Sequence, residues 1–395
     1  MRGLNLILTI CLAEVLYLLP MATFPALVPD FVEQWSLSNT EAGWISGSYY
    51  LGYMLTVPVL TALTDRYDAR LVLLAGCLIG ALATFGFALF ADGFWSAMLW
   101  RTLGGIGLAG SYMPGLKALN DRNDSPVPSR GMVLYTSSYS LGVGLSFLLA
   151  GEAQAALGWQ AAFHLAAAGP AAALLLMLVV LQPKRPVAAA ASGRLLDFRP
   201  VFANKAALGY ILGYTGHCHE LMAMRAWIVA FMAFAAARAG GEPTVSATVI
   251  AAIVTVIGVP SSILGNELSL RFGRRRVVTA ILAVSALLSC GIGIAAGISY
   301  WLAVAAVLLY AVTVTADSGS LTAGAISAAP SHQQGATMAV HSTLGIGVSF
   351  IGPLVVGVVL DLAGGGVLAW ALAFLTMGAG AAMGSLAVAK LAPRT

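Results

Sequence analysis

Charged residues are scarce in this sequence. Of its 395 residues, 9% are Asp, Glu, Lys or Arg, whereas 59% are hydrophobic. A soluble domain carries about 25% charged residues. A chain with so few charged residues cannot form a fully water-exposed surface. The composition therefore predicts a membrane-embedded protein whose main surrounding is the lipid bilayer.

Cysteine is rare as well. Cys11, Cys77, Cys218 and Cys290 all lie in apolar runs and form no CxxC pair, so they indicate neither a disulfide framework nor a metal site. The sequence has no nucleophile–base constellation and no phosphate-binding loop, which argues against an enzyme. The net charge of +4 gives no sign of nucleic-acid binding, and we expect no cofactor.

Long apolar runs, by contrast, fill the chain. Spanning a bilayer takes about 20 apolar residues. Eight segments reach this length without a charge: 42–64, 71–91, 131–151, 161–181, 243–266, 277–299, 336–360 and 367–389. Four more contain one or two charged residues: 3–29, 93–116, 206–237 and 300–325. The sequence thus predicts twelve transmembrane helices, the first of which is too long for a signal peptide.

The basic residues predict the orientation, because Lys and Arg concentrate in cytoplasmic loops. With the N-terminus inside, 17 of the 20 Lys and Arg residues lie on the cytoplasmic side. Arg238 lies outside, and Arg101 and Arg225 lie within the membrane. We therefore expect a multi-pass protein of a cell membrane, such as a bacterial inner membrane, with both termini in the cytoplasm.

An internal repeat divides the chain. Residues 140–147 (SLGVGLSF) and 343–350 (TLGIGVSF) match at an offset of 203, and Glu14 and Glu220 are 206 residues apart. We expect three parts: an N-terminal six-helix bundle over 1–182, a cytoplasmic basic linker over 183–205 and a C-terminal six-helix bundle over 206–395. Parallel halves of this kind occur in transporters whose substrate site lies between them.

The loops after the second and eighth segments resemble the G-x-x-x-D-R-x-G-R-R signature of the major facilitator superfamily. Asp68 departs from it, since it stands where the family has glycine. The matching residues of the two loops are Asp65, Arg66, Arg70, Arg271, Gly273, Arg274 and Arg275. The resemblance implies that these loops gate the inward side during alternating access.

A run that begins at Arg101 is similar to the R-x-x-x-G-x-G motif of the superfamily's fourth helix. Together with the layout of the segments, it extends the resemblance over the whole chain. The resemblance implies an all-α integral membrane fold of twelve helices in two pseudo-symmetric six-helix bundles. It identifies no subfamily.

The predicted segments contain five charged residues, on the first, fourth, seventh and tenth segments: Glu14, Arg101, Glu220, Arg225 and Asp317. Charges inside a membrane are costly and usually line a cavity or pair with one another. The resemblance implies that these four helices line the central cavity. An alternative is that the charges form structural ion pairs, of which Glu14 with Arg101 is the most plausible.

The seventh segment is the richest in polar side chains. His217 and Glu220 share a helix face. We expect Glu220 or Asp317 to be the protonatable coupling group, His217 to relay protons, and Arg225 to bind an anionic substrate. For His341 we favour an ordinary hydrogen-bonded histidine.

The favoured function is proton-coupled transport of a small organic solute, such as a carboxylate, by a functional monomer. The main alternative is efflux of drugs or metabolites by proton antiport. In the superfamily that this chain resembles, exporters of that kind usually have a Gly-Pro element in the fifth helix, and residues 142–151 lack the proline. Minor alternatives are a copper transporter, since neighbouring His, Cys and Met residues favour copper(I), and a transporter-like sensor. Adjacent residues diverge on a helix, so we expect no metal site.

Overall fold

A computed structural model describes residues 3–122, 128–184, 198–240, 245–330 and 333–393. The described chain is built from helices joined by short turns, and no strand occurs in these ranges. The stretch 185–197 of the expected linker lies outside the described residues. The helices are α1 (Gly3–Tyr17), α2 (Thr23–Ala26), α3 (Val28–Gln34), α4 (Asn39–Leu63), α5 (Ala69–Phe90), α6 (Phe94–Arg122), α7 (Pro128–Leu157), α8 (Trp159–Val180), α9 (Arg199–Ala203), α10 (Lys205–Ala239), α11 (Ala247–Phe272), α12 (Arg274–Ile298), α13 (Tyr300–Ala316), α14 (Ser318–Ala328), α15 (Gln334–Leu362) and α16 (Gly366–Leu391).

Nine spans in the described ranges are long and apolar enough to cross a membrane, with α13 and α14 counted as one. Two further helices, α4 with 25 residues and α6 with 29, are long but less apolar. The first predicted segment is divided among α1, α2 and α3. These elements coincide with the twelve segments expected from the sequence.

The break after α1 has a local cause. The helix ends at Tyr17, and Pro20 follows three residues later. Proline has no N–H to donate and its ring clashes with the preceding turn. The chain therefore leaves the helical path, and the carbonyls of Pro20 and Met21 lie in a turn.

The chain separates into two compact units. Unit 1 contains Met1–Ser36 and Ser48–Ala191, and unit 2 contains Leu37–Gly47 and Ser192–Thr395. Helix α4 thus begins in unit 2 and continues in unit 1.

In unit 1, α5 packs against α6 and α8, and α1 packs against α7 and α8. Small residues permit the closest of these approaches. A Cβ atom built on Gly76 of α5 would overlap the backbone of Gly110 on α6. Close approach of backbones at glycine is a general means of packing helices in membranes, where burial of apolar surface gives no driving force.

In unit 2, α10 packs against α15 and α16, and α12 packs against α16. The first turn of α4, which also belongs to this unit, is capped by Asp361 near the end of α15. The Asp361 carboxylate accepts hydrogen bonds from the backbone N–H groups of Asn39 and Thr40 at 3.0 and 2.7 Å. The side chains of both residues donate to it as well. Asp361 thus satisfies donors that a helix N-terminus leaves without partners.

Candidate functional site

Glu14 lies on α1 and is buried in unit 1, with 6% of its surface exposed. The Ser138 hydroxyl of α7 lies 2.5 Å from Glu14 Oε2. Glu14 Oε1 has no hydrogen-bond partner among the described residues. The side chain lines a cavity with room for about one or two water molecules.

Arg101 on α6 is also buried, but its partners are different. Its guanidinium donates to the carbonyls of Pro20 and Met21 at 3.3–3.4 Å. It also stacks over the ring of Tyr49, 4.3 Å from the ring centroid. The turn after α1 therefore supplies acceptors to Arg101, and Tyr49 supplies a cation–π contact.

The ion pair between Glu14 and Arg101 that we considered from the sequence is therefore not formed in this structure. The physical reason is the break after Tyr17. Carbonyls of the turn accept hydrogen bonds from the arginine, whereas Glu14 lies inside the regular part of α1 and contacts Ser138. Sequence spacing alone could not show this separation.

In unit 2, Glu220 on α10 is completely buried. One carboxylate oxygen, Oε1, accepts hydrogen bonds from the Tyr310 hydroxyl at 2.7 Å and from the Ser285 hydroxyl at 2.9 Å. Thr313 Oγ1 lies 3.2 Å from Ser285 Oγ and extends the network. Three hydroxyl groups from α12 and α13 thus surround the acid.

His217 lies one turn before Glu220 and forms a buried pair with Asp317. His217 Nδ1 is 2.8 Å from Asp317 Oδ1, and their side chains are 2% and 1% exposed. Asp317 occupies the junction at which α13 ends and α14 begins. A break of this kind allows a polar side chain to reach inward within an otherwise apolar span.

His341, which the sequence suggested to be an ordinary histidine, joins this cluster. Its ring stacks on Tyr214 at 3.9 Å between centroids, and Tyr214 in turn stacks on His217 at 5.5 Å. His341 Nε2 also lies 3.3 Å from the Thr322 hydroxyl. We call His217, Asp317, Tyr214, His341 and Thr322 the histidine cluster.

Arg225, two turns beyond His217 on α10, is buried with 6% of its surface exposed. His219 turns elsewhere, with Nε2 3.1 Å from the Thr376 carbonyl of α16. Within the described ranges, no three His, Cys, Asp or Glu side chains come together as a metal site.

The loop between α4 and α5 carries the first set of gating residues. Asp65 and Arg66 are exposed, and Arg70 donates to the Leu178 carbonyl at 3.1 Å. The strongest contact, however, involves Asp68, which accepts hydrogen bonds from Arg122 at 2.7 Å. Because the family signature has glycine at this position, the sequence comparison directed attention away from Asp68.

Asp68 joins the start of α5 to the end of α6 and to the segment that follows α8. It caps α5 by accepting from the Arg70 N–H at 3.0 Å, and it accepts from the Lys184 N–H at 2.7 Å. Burial alone would raise the pKa of Asp68, but the hydrogen bonds from Arg122, Lys184 and Arg70 lower it below 3.8. The carboxylate thus stays ionised at neutral pH.

The second gating loop joins α11 to α12. Gly273 has a φ of 89°, a backbone conformation that glycine adopts without strain. Arg271 lies over the ring of Phe272, and Arg274 Nη1 lies 3.5 Å from the Ser327 hydroxyl. Arg275 donates to the Ala389 carbonyl of α16 at 3.1 Å.

Apolar helices of membrane-spanning length, with ionisable side chains buried inside two helical units, define an integral membrane protein of the solute-transporter class. Residues 10–353 match the Major Facilitator Superfamily. The chain belongs to this superfamily, and its fold is the superfamily's all-helical transporter fold.

Individual relatives match only part of the chain. Human protein spinster homolog 1 is 25% identical over 148 residues, which cover 37% of this chain and 28% of the relative. The niacin transporter NiaP of Acinetobacter baylyi is 28% identical over 137 residues, which cover 35% of this chain and 31% of the relative. The matched segment thus spans about a third of either relative.

Solved structures match over nearly the full length. A bacterial homolog of the human lysosomal transporter Spinster, in an inward-facing and occupied conformation, has a TM-score of 0.77 at 16% identity and covers 98% of this chain and 95% of its own. The nucleoside transporter NupG has a TM-score of 0.78 at 14% identity and covers 97% and 99%. At these identities the likeness shows the fold alone.

Proposed function

We propose that this protein is a proton-coupled secondary transporter of a small organic solute that works by alternating access as a monomer. Membership of the superfamily supports the transport of solutes. The observation that carries proton coupling is the buried pair of His217 and Asp317 at a helix break, one turn from Glu220. The proposal includes no enzymatic step, cofactor, metal or nucleic acid.

The histidine cluster can hold a proton as a buried ion pair, and an unpaired charge arises only when that proton leaves. When His217 is protonated, it forms an ion pair with Asp317; when the proton leaves, the aspartate is left with a neutral imidazole. An unpaired charge inside a membrane protein is costly, so loss of the proton favours a rearrangement that hydrates or neutralises Asp317. Such a rearrangement would link proton release to a change in conformation.

For the cargo we propose an anion, such as a carboxylate, bound with the participation of Arg225. A guanidinium matches a carboxylate in shape and forms paired hydrogen bonds with it. NiaP is named as a niacin transporter, and niacin is an aromatic carboxylate. Niacin is therefore the first compound to test, followed by aliphatic carboxylates, amino acids and nucleosides.

The decisive experiment is uptake into proteoliposomes of these labelled compounds, with and without an imposed pH gradient. We expect at least one carboxylate to accumulate only with the gradient. The direction of the gradient that drives accumulation distinguishes import with protons from the alternative, efflux by proton antiport. Transport that ignores the pH gradient would refute proton coupling.

Variants identify the coupling group. Asp317→Asn or Glu220→Gln should abolish accumulation driven by the pH gradient but preserve counterflow exchange of the solute, which needs no net proton movement. Glu267→Gln is the matched control, because Glu267 lies exposed on α11. If both acid variants accumulate substrate normally, these carboxylates are structural.

The role of Arg225 is tested by affinity. Arg225→Ala should weaken carboxylate binding at least tenfold, which corresponds to the loss of one charge-assisted hydrogen bond of about 1.5 kcal/mol. Arg238→Ala, on the same helix but exposed, should leave the affinity unchanged. Equal affinities in the two variants would exclude Arg225 from the binding site.

Both termini and the two gating loops are proposed to lie on the cytoplasmic side, in accord with the distribution of Lys and Arg. The gating residues would then contact helix ends at the inward side. A membrane-impermeant thiol reagent should label a cysteine placed at Arg276 in inside-out vesicles only.

A further inference from the structure

Glu14 and Glu220 lie 206 residues apart, at corresponding places of the internal repeat, but their neighbours supply different numbers of protons. Around Glu220, the hydroxyls of Tyr310 and Ser285 both donate to Oε1. The Thr313 hydroxyl lies 2.9 Å from the Tyr310 carbonyl oxygen and 3.2 Å from Ser285 Oγ, so neither contact takes the proton that Ser285 donates to Glu220. The Glu220 network therefore contains enough donors for an ionised carboxylate.

The hydrogen-bond network around Glu14 has fewer donor protons than the network around Glu220. Ser138 Oγ lies 2.5 Å from Glu14 Oε2 and 2.7 Å from the Tyr135 carbonyl oxygen. Glu14 Oε2 and the Tyr135 carbonyl are both acceptors if Glu14 is ionised, and a serine hydroxyl has a single proton to donate. Two full hydrogen bonds require one more proton, and only the Glu14 carboxyl can carry it.

Among the described residues, no cationic side chain lines the cavity of Glu14. The lining of its cavity includes the titratable side chains Tyr17, Tyr112 and Tyr135 and the Cys77 thiol, and no Asp, Lys, Arg or His among the described residues. Cys11, one turn earlier on α1, adds a second thiol. An ionised carboxylate with one hydroxyl donor in such a place is costly.

We propose that unit 1 contains a proton-binding site in which Glu14 is a neutral carboxylic acid that donates its proton to Ser138. Ser138 then donates to the Tyr135 carbonyl, so that both short contacts are full hydrogen bonds. Glu14 Oε1, which has no partner among the described residues, accepts a hydrogen bond from a water molecule in the cavity. The ligands of this site are a proton and a water molecule.

This site extends the proposed function but does not rest on it. The two acids have different roles in this proposal: Glu14 of unit 1 keeps its proton, whereas unit 2 exchanges one with its surroundings. A failure of pH-driven transport would leave the assignment of Glu14 untouched. An infrared spectrum without a protonated Glu14 would leave Glu220 and Asp317 as coupling groups.

Infrared difference spectroscopy of the purified protein at neutral pH tests the proposal directly. A protonated carboxyl group has a C=O stretching band that an ionised carboxylate lacks. The spectrum of the wild type minus that of Glu14→Gln should contain this band, and exchange into D₂O should move it to lower frequency. A difference spectrum that contains only the two carboxylate bands would overturn the proposal.

Two serine variants test the hydrogen bond to Ser138. Ser138→Ala removes the acceptor and should move the Glu14 band to higher frequency, whereas Ser138→Thr keeps a hydroxyl and should leave the band in place. Glu220→Gln is the matched control and should preserve the band. A band that Ser138→Ala does not move would refute the donation to Ser138, even if Glu14→Gln could not be purified.

Stability gives an independent measurement. Glutamine is a neutral isostere of the acid, so Glu14→Gln should unfold within about 3 °C of the wild type, equivalent to about 1 kcal/mol. A fall of more than about 10 °C would contradict a neutral Glu14.

Discussion

Replacing Asp68 tests how the loop between α4 and α5 is held. The carboxylate caps α5 and accepts hydrogen bonds from Arg122 and from the N–H of Lys184. Asp68→Ala removes all these contacts, whereas Asp68→Asn keeps a capping oxygen and removes the charge. The two variants therefore separate the cap from the ion pair.

The contacts of Asp68 permit an estimate of the unfolding free energy that each variant loses. A helix cap contributes about 1 kcal/mol, and a hydrogen bond to a charged group about 1.5–3 kcal/mol when buried. Asp68 is partly exposed, so solvent screening reduces the second value to about 1 kcal/mol. We expect Asp68→Ala to cost about 2 kcal/mol and Asp68→Asn about 1 kcal/mol, which lower Tm by about 4–8 °C and 2–4 °C.

Cysteine labelling measures unfolding of unit 1 alone. Cys77 on α5 is buried, with 1% of its surface exposed. After replacement of Cys11, Cys218 and Cys290 by serine, a thiol-reactive dye reports the temperature at which Cys77 becomes accessible. Asp65→Asn is the matched control, because Asp65 lies exposed in the same loop. If Asp68→Ala has the same Tm as this control, Asp68 does not hold the loop.

The pH dependence of this stabilisation follows from the direction in which folding shifts the pKa of Asp68. The pKa of Asp68 is lower in the folded protein than its ordinary value of 3.8, so its stabilisation is complete above that value and is lost as pH falls through the folded pKa. The difference in Tm between wild type and Asp68→Asn should therefore be constant near neutral pH and close below about pH 4. A difference that persists in acid would show that the charge of Asp68 contributes nothing.

Other perturbations test the packing of each unit by the same labelling method. Arg101→Lys should destabilise unit 1 by about 2 kcal/mol, because an ammonium group cannot reproduce the fork of the guanidinium; an unchanged Tm would refute this. Gly76→Ala should overlap α6 and destabilise unit 1 by about 1–3 kcal/mol. Gly93→Ala should not, because among the described residues no atom beyond its chain neighbours lies within 4 Å of the position that its Cβ would take. Asp361→Ala should destabilise unit 2 by about 1–2 kcal/mol through loss of its cap, measured by labelling of the buried Cys218; equal labelling in the variant and the wild type would contradict the cap.

The sequence was sufficient to predict the nine spans that are long and apolar enough to cross a membrane in the described residues, and the charged residues that are buried. Apolar length and charge position depend on local composition, which is why Glu14, Arg101, Glu220, Arg225 and Asp317 could be singled out, and all five are buried. The membrane segments were also predicted without an alignment, because lipid imposes one rule on every helix.

The partners of these residues could not be predicted, because they depend on tertiary structure. Nothing in the spacing indicated that Glu14 contacts Ser138, 124 residues away. His341 is hydrogen-bonded, in accord with the sequence, but the spacing did not indicate that its ring stacks on Tyr214 from a different helix. In the sequence, Asp68 was only a departure from the family pattern. In the structure, its carboxylate accepts hydrogen bonds from Arg122 and holds the loop.

The turn after α1 has a consequence for recognition of the cargo. Arg101 donates hydrogen bonds to the carbonyls of Pro20 and Met21. A solute that bound its guanidinium instead would leave those two oxygens without their charged donor. The arginine that the family motif makes most conspicuous is therefore committed to its own backbone. For the anionic cargo that we propose, a screen for altered cargo preference should therefore include Arg225 beside Arg101.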